Sequence, residues 1–430
     1  MDDSAPLLRQ LNIPSDFRHY SSITESHIII RLEEWRRQAH AVLAQLHEQL
    51  KQRVSLSRSE EASVIAAVAP FEGEGPWTLE TTRAQAQEIL RPYSEPEIGL
   101  LEELLKQRVK PAFQSTPHPM LNTSTGRTLP RAAGGPDAVL DHFDGQTWKD
   151  RPGTVDLLTW CIRHCESVAY EKLWHLLIPP MMTLLDDYET SYRLRGVHVV
   201  SDIIQRVPAD LLRRTGVDGL LFSSLKKSFA FLQNPETPEL IRAAVPATVS
   251  LVLLTTPPSS ARRFDQLCEI LGDGIIGSVW LYAIYEQNAI EASIDLLSCI
   301  VHALGIGTAR YLKAIVPQLV FLLVPAPENS ANLQLQLSSL RALAEVVRTC
   351  APRMHKWKGQ ILEGILKRWV VAVDKGSDED PVTGTLKDAA KDVCDALAIA
   401  CPSVIKLEYA QLLQVDRQMF GSLLETSVKT

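Results

Sequence analysis

The feature that most limits what this chain can become is a recurring pair of apolar helical stripes joined by a short turn. Its clearest copy occupies residues 171–207. Leu173, Leu176, Leu177, Met181, Leu184 and Leu185 fall at spacings of three and four, the period of one helix face. Tyr188-Glu189-Thr190-Ser191 interrupts, and Val197, Val200, Ile203 and Ile204 then resume the period until Val207-Pro208 ends it. Periods of about 40–47 residues built from two helices mark HEAT and armadillo arrays. Weaker copies pair 216–232 with 238–254, 264–285 with 289–304, 308–324 with 331–350 and 357–373 with 385–400. A helix at 155–165 precedes the series and one at 407–424 follows it. One pair cannot bury its stripe alone, so stacking must supply the core. The fold expected is all-α, an α-solenoid of HEAT-like helix pairs over residues 153–430.

Ahead of the array the pattern changes. Residues 1–22 are polar and mixed and read as a flexible terminus. Residues 23–110 read as an additional helical region. It opens on a long amphipathic helix over 25–54, with Ser22 or Thr24 available as its cap. Ile28, Leu32, Trp35, Ala39, Val42, Leu46 and Leu50 form a seam on it. The seam lasts barely four heptads, which favours packing on neighbouring helices over a coiled-coil contact. Between 111 and 152 the prolines Pro111, Pro117, Pro119, Pro130 and Pro136 punctuate a Ser-, Thr- and Gly-bearing stretch. Such a composition buries little apolar surface and reads as a linker. Its aromatic end, from Phe143 to Lys149, is placed to fold back on the helices.

Composition narrows the function classes. Of 430 residues, 45 % are hydrophobic and only 6 % aromatic, and alternating runs of Val, Ile and Thr are scarce, which favours helix over sheet. The 44 basic residues are interspersed with 51 acidic ones for a net charge of −7. No segment concentrates the cations a phosphate backbone demands, so nucleic acid is excluded as an expected partner. Seven scattered cysteines, mostly in apolar helical patterns, suit a reducing compartment. The opening MDDSAPLLRQ has no basic-then-apolar signal, and the most apolar stretch, 243–255, is broken by Pro246 and shorter than the roughly 20 residues of a bilayer span. A soluble protein of the cytoplasm, with the nucleus as a second location, is expected, without membrane contact.

Several motifs invite chemistry and have blander readings. Gly272-Asp273-Gly274-Ile275-Ile276-Gly277 spells a dinucleotide-binding turn, with Glu291 near the acidic position. That site needs a strand before the glycines, whereas Phe264–Leu271 reads as helix. Asp186, Asp187 and Glu189 could ligate a hard metal, or cap a helix and pair with Arg193 or Arg195. Cys161, His164, Cys165 and His175 cluster soft ligands, but without paired C-x-x-C spacing and among Leu158, Ile162 and Val168, so an apolar face is favoured. Neither cysteine has an oriented base in reach of the pattern. The acidic turn Ser377-Asp378-Glu379-Asp380 reads as solvated, with phosphorylation or docking as the second reading. No cofactor, metal or catalytic residue is therefore expected.

Within 171–207, Pro179 and Pro180 fall inside the first helix, where a missing N–H and a ring clash bend it. Asp187 precedes Arg193 by six, the Asp–Arg spacing of HEAT repeats, which would tie a unit to its neighbour. Asp186, Arg195 and Gly196 complete this structural motif. Trp174 reads as core, whereas Trp148, Tyr188 and Tyr192 are the candidate partner contacts, since aromatics are enriched at interface anchors.

Together, Trp148-Lys149, Leu158-Thr159-Trp160-Cys161, the Pro-Pro…Asp-Asp-Tyr-Glu core and Tyr192-Arg193-Leu194-Arg195-Gly196 resemble the family of the second Tel-two-interacting protein, a subunit of the Triple-T complex. The likeness covers about residues 144–207. It implies a non-enzymatic scaffold that binds the first Tel-two-interacting protein directly and shares a complex with Tel-two. With the heat-shock-ninety chaperone system, such a complex supports maturation and stability of phosphatidylinositol-3-kinase-related kinases. Periodicity by itself implies only a helical surface for protein partners. A general HEAT-repeat adaptor, in transport or as a phosphatase scaffold, is the other reading.

Overall fold

The computed structural model describes residues 5–18, 24–53, 55–115, 117–134, 146–324, 332–374 and 381–425. The aromatic start of 143–149, the turn at 325–327 and the acidic turn at 377–380 lie outside the described residues. The helices fall into two compact units, residues 1–224 and 225–430. The expected boundaries at 110 and 153 are not where the chain divides, because the first helices pack directly on the start of the array.

In the first unit, α1 (Ser26–Lys51), α2 (Arg58–Val68), α3 (Glu80–Leu90) and α4 (Ile98–Leu104) precede the repeat. Leu32, Ala39, Val42, Leu43 and Leu46 form the buried stripe of α1, which packs on α3, so the seam is an intramolecular one. Trp35 stacks on Phe71 at 5.8 Å and meets Phe17 edge-on at 5.9 Å. Of the two expected caps, Ser22 lies outside the described residues, and Thr24 is not the cap of α1: the cap position is Glu25, which makes no side-chain cap bond. The terminus is more ordered than its polarity suggests. A short helix, Ala5–Gln10, is followed by buried Leu11 and Phe17.

The expected linker is also corrected in part. Phe113 and Leu121 are buried, and β1 (Leu121–Asn122) pairs antiparallel with β2 (Arg127–Thr128), Leu121 opposite Thr128. The Asn122 side chain accepts from the amides of Ser124 at 3.0 Å and Thr125 at 3.2 Å. Short polar side chains close turns by this means as readily as they favour disorder. Composition alone does not separate the two outcomes.

After the hairpin come α5 (Thr154–Arg163), α6 (Tyr170–Leu185), α7 (Thr190–Ile204), α8 (Ala209–Thr215) and α9 (Val217–Lys227). The pair α6–α7 is the repeat read at 171–207. α6 continues through Pro179 and Pro180, although neither supplies an amide to the preceding turn. Its buried Leu173, Leu176, Leu177, Met181, Leu184 and Leu185 offset that loss. Gly196 explains how closely the two helices approach. A Cβ there would lie 2.5 Å from the Leu185 amide nitrogen and 2.7 Å from the Leu184 carbonyl carbon, both backbone atoms that cannot swing aside.

The second unit contains α10 (Thr237–Thr255), α11 (Ala261–Cys268), α12 (Gln287–Asp295), α13 (Leu297–Leu304), α14 (Leu312–Leu323), α15 (Leu333–Thr349), α16 (Lys358–Asp374) and α17 (Pro381–Ala400). α14 packs on α15, and α16 on α17, as the stripes require. By length and apolarity α10 could cross a bilayer, and so could the stretch 287–323. In this unit Leu240, Ile241, Ala244 and Val245 of α10 are buried and the helix packs on α12, the composition of a core helix. No strand precedes Gly272: residues Glu269–Val279 continue α11 as a wider helical turn. A Cβ on Gly272 would meet the Tyr311 ring at 2.9 Å, and one on Gly274 the Phe229 ring at 2.6 Å. These glycines admit neighbouring rings, and the dinucleotide reading falls away.

Replacing Gly196 with Ala is expected to destabilise the first unit by about 1–3 kcal/mol or more, the cost of overpacking against backbone. Urea unfolding followed by circular dichroism measures it; an unchanged midpoint would remove the close approach as the reason for this glycine.

Candidate functional site

The turn between α6 and α7 is where the sequence-derived residues converge, and a lysine from outside the repeat organises it. Lys149 sits in the short helical turn Thr147–Asp150. Its Nζ lies 3.0 Å from the Asp187 carboxylate and 2.7 Å from Glu189 Oε1. The ammonium also lies 4.5 Å from the Tyr188 ring centroid, 4.8 Å from that of Tyr192 and 5.4 Å from that of Trp148. Two carboxylates and three ring faces thus surround one cation, an arrangement in which Coulomb and cation–π attraction act together. Of the three carboxylates that could have ligated a hard metal, Asp187 and Glu189 hold this ammonium group and Asp186 does not.

Asp187 is 0 % exposed. One of its oxygens accepts the Glu189 amide at 2.8 Å, which turns the chain into α7. Burial pushes its carboxyl above the ordinary Asp range, opposed by the Lys149 charge and the Glu189 amide. The expected Asp–Arg tie takes another form. Arg193 Nε donates to the backbone carbonyl of Asp187 at 3.0 Å, so it locks the turn of its own unit. Burial lowers the Arg193 pKa, against the opposing charges of Asp186 and Asp187. Asp186 reaches outward from the pair: its Oδ2 accepts from Ser224 Oγ and from His118 Nε2, each at 3.0 Å. Because His118 Nδ1 accepts the Met120 amide at 3.2 Å, the ring is the Nε2–H tautomer. Arg195 pairs with Asp156 of α5 at 2.5 Å, and burial raises the Asp156 carboxyl despite that cation.

The three candidate partner contacts separate. Trp148, 1 % exposed, stacks on Phe113 at 5.3 Å and meets Tyr192 edge-on at 4.8 Å. Tyr192, 6 % exposed, donates its hydroxyl to the Arg18 carbonyl at 3.0 Å. Both are core residues, which corrects the reading of them as surface anchors. Neighbours distant in sequence, Phe113 and Arg18, bury them. Tyr188, 59 % exposed, is the accessible member. Sequence reasoning missed Lys149 as the central cation, His118 and Asp156. The signal available for Lys149 was its place beside Trp148, and for His118 there was none.

The soft-ligand cluster resolves as packing. Cys161 and Cys165 are buried; burial pushes the Cys161 thiol up and raises that of Cys165 to about 12. His164 stacks on Trp160 at 4.3 Å and donates from Nδ1 to that residue's carbonyl at 2.9 Å. Among the described residues no group of three or more His, Cys, Asp or Glu side chains is arranged around a metal position. The hairpin lies along α6: Trp174 Nε1 donates to the Gly126 carbonyl at 3.1 Å.

These features define an all-α protein of stacked helix pairs with a HEAT-type Asp/Arg turn. A chain of the Kap95:Nup1 complex shares the fold, with a TM-score of 0.50 and 12 % identity over 98 % of this chain and 49 % of that one. The family is narrower than the fold. A family model of the Tti2 family matches residues 64–330, more than half of the chain, and the chain belongs to that family. It is 25 % identical over 271 residues to TELO2-interacting protein 2 of Rattus norvegicus, a match covering 60 % of this chain and 49 % of that protein. To TELO2-interacting protein 2 of Homo sapiens it is 24 % identical over 260 residues, 57 % of this chain and 48 % of that protein. The chain spans about half the length of the curated relatives it matches.

Lys149→Met is expected to cost about 3–5 kcal/mol near pH 7, because it leaves the Asp187 carboxylate buried without its cation. Asp187 has a raised folded-state pKa. The folded chain therefore keeps this proton to higher pH than the unfolded chain, and the contribution falls as pH rises through that interval. Losing Lys149 extends the interval upward. The deficit of the variant should therefore shrink on acidification, as read by denaturant unfolding across pH; a deficit independent of pH would mean that the Asp187 charge is not its source.

Proposed function

We propose that this chain is a non-catalytic scaffold acting in a complex with a TELO2-type protein. Membership of the Tti2 family carries this reading, supported by relatives named TELO2-interacting protein 2. The helix-pair fold supports it physically, since stacked pairs present extended surfaces suited to protein partners. In the finer form of the proposal, the chain binds the first Tel-two-interacting protein directly, within the Triple-T complex. There it assists the heat-shock-ninety system in stabilising phosphatidylinositol-3-kinase-related kinases, in the cytoplasm and also in the nucleus.

Tyr188 is the residue proposed to touch the partner. It is exposed, it lies in the turn just before α7, and its ring lies against the Lys149 ammonium, so docking on it costs little side-chain entropy.

Affinity purification of the tagged chain should recover the TELO2-type protein, and depletion should lower the large kinases without lowering their messages. A pull-down rich in transport cargo and lacking TELO2-type protein, or unchanged kinase levels, would overturn the proposal. Tyr188→Ala should reduce partner recovery severalfold while costing about 1 kcal/mol of stability or less, the scale of an exposed cation–π contact. Full recovery with this variant would remove Tyr188 from the interface.

A further inference from the structure

In the second unit three successive turns share one chemistry. Residues 305–311 lead from α13 into α14, 351–356 from α15 into α16, and 405–409 follow α17. Arg310 and Lys313 stand at the first, Arg353 and Lys356 at the second and Lys406 at the third, all exposed. None of these five cations has a carboxylate partner among the described residues. Carboxylates are missing from the surrounding sequence as well. Segments 296–327, 346–362 and 396–407 contain no Asp or Glu, in a chain whose net charge is −7. Glu408, the carboxylate of the third turn, is held by Lys358 at 2.5 Å.

The three turns lie side by side. α13 packs on α15 and α15 on α17, while α14 packs on α16. His302, near the end of α13, lies 3.1 Å from Glu345, near the end of α15, so these two helices finish together. α14 and α16 therefore both start at the edge where α13 and α15 end. Lys358, the first residue of α16, joins the third turn to this edge through Glu408.

Two features of the edge run against what the fold by itself favours. Helix starts prefer acidic side chains, because the first-turn amides carry partial positive charge. Neither α14 nor α16 has an acidic residue in its first turn, and Lys313 and Lys358 stand there instead. Arg310 and Lys313 thus oppose the start of α14 without an internal partner, the kind of local conflict that marks a functional surface. Apolar side chains also stand out among the cations: Ile306 is 55 % exposed, Leu407 53 % and Ile405 39 %. Covering them removes apolar surface from water, which cations by themselves do not require.

We infer that this edge docks an acidic segment of a partner polypeptide, with apolar side chains interspersed among its Asp and Glu residues. The inference rests on the scaffold reading, and supplies the chemistry of one surface by which such a scaffold holds a partner. Charge complementarity selects the carboxylates, and Ile306, Ile405 and Leu407 select the apolar groups between them. With neighbouring helices about 8–10 Å apart, three turns span roughly 20 Å, the reach of about six extended residues. A polypeptide fits better than an anionic bilayer or a nucleic acid. The cations form a narrow row on a chain of net charge −7, which repels an extended polyanion beyond that row.

The test uses the whole chain and two fluorescein-labelled dodecapeptides, followed by anisotropy at about 0.15 M salt. One peptide is Glu with Leu at every third position, and the other has Gln in place of Glu. The Glu peptide should bind and the Gln peptide should not. Arg353→Glu/Lys356→Glu should weaken binding about tenfold or more, since two attractions become repulsions. Arg131→Glu/Arg151→Glu, the same charge change at exposed sites of the first unit, should leave it unaltered. Ile306→Ser/Leu407→Ser should weaken it severalfold with every charge in place. All these positions are exposed, so circular dichroism should show each variant folded. A benzophenone on the Glu peptide should crosslink within 305–313, 351–358 or 405–409. No binding of the Glu peptide, equal binding of both peptides, equal loss with the two charge reversals, or crosslinks only elsewhere would each overturn the inference. So would phosphatidylserine vesicles or an oligonucleotide that bound more tightly than the Glu peptide and lost binding with Arg353→Glu/Lys356→Glu. Failure of the peptide with intact TELO2-type co-purification strikes the edge alone, whereas lost co-purification with normal peptide binding strikes the scaffold reading alone.

Discussion

One partly buried cation, Lys149, holds the turn on which the repeat of the first unit depends. Lys149 does not belong to the helix pair α6–α7, yet its ammonium group satisfies Asp187 and Glu189 and lies against three rings. Without it, a fully buried carboxylate would close the turn at the cost of its own desolvation. With it, Asp187 can accept the Glu189 amide, Arg193 can bind the Asp187 carbonyl, and Asp186 is directed away toward His118 and Ser224. The adjacent Asp residues therefore serve opposite directions: one faces the turn, the other reaches elements before and after it.

How much of this was legible depended on sequence distance. The helices of the array were readable because Leu173, Leu177, Leu184, Val197 and Val200 obey a local period, and each expected stripe within the second unit has its helices. Gly196 stood out in the motif, although only the backbone geometry reveals that Leu184 and Leu185 leave no room beside it. Trp148 and Tyr192 misled because aromatic residues near a turn look alike whether a partner or the chain itself covers them. The groups that bury them, Phe113 and Arg18, are far away in sequence. His118 lay in a stretch whose Pro, Ser and Thr content pointed to a linker, and its bond to Asp186 spans 68 residues. Local pattern cannot encode such pairs.

The family and the fold bear on function at different resolutions. Likeness to a chain of the Kap95:Nup1 complex, at 12 % identity, describes the arrangement of helices and nothing of what they bind. The Tti2 match spans 64–330, and so takes in α3, α4, the hairpin, the Lys149 cluster and α10 through α14. The hairpin and the Lys149 cluster therefore lie inside the matched region, whereas Arg18 lies before it.

The contacts of Arg18 and His118 change what kind of solenoid the first unit is. In an ideal array each repeat touches only its neighbours, so stability adds up along one dimension and repeats can be lost from an end. Here the Arg18 carbonyl receives a bond from Tyr192 and its guanidinium pairs with Asp150, while the hairpin at 121–128 lies along α6. Chain segments more than 130 residues apart are fastened across the repeat. Closing such long loops slows assembly but binds the parts into one cooperative block. The first unit is thus knotted in the figurative sense of a parcel: its early residues are the string, and cutting them loosens every layer together.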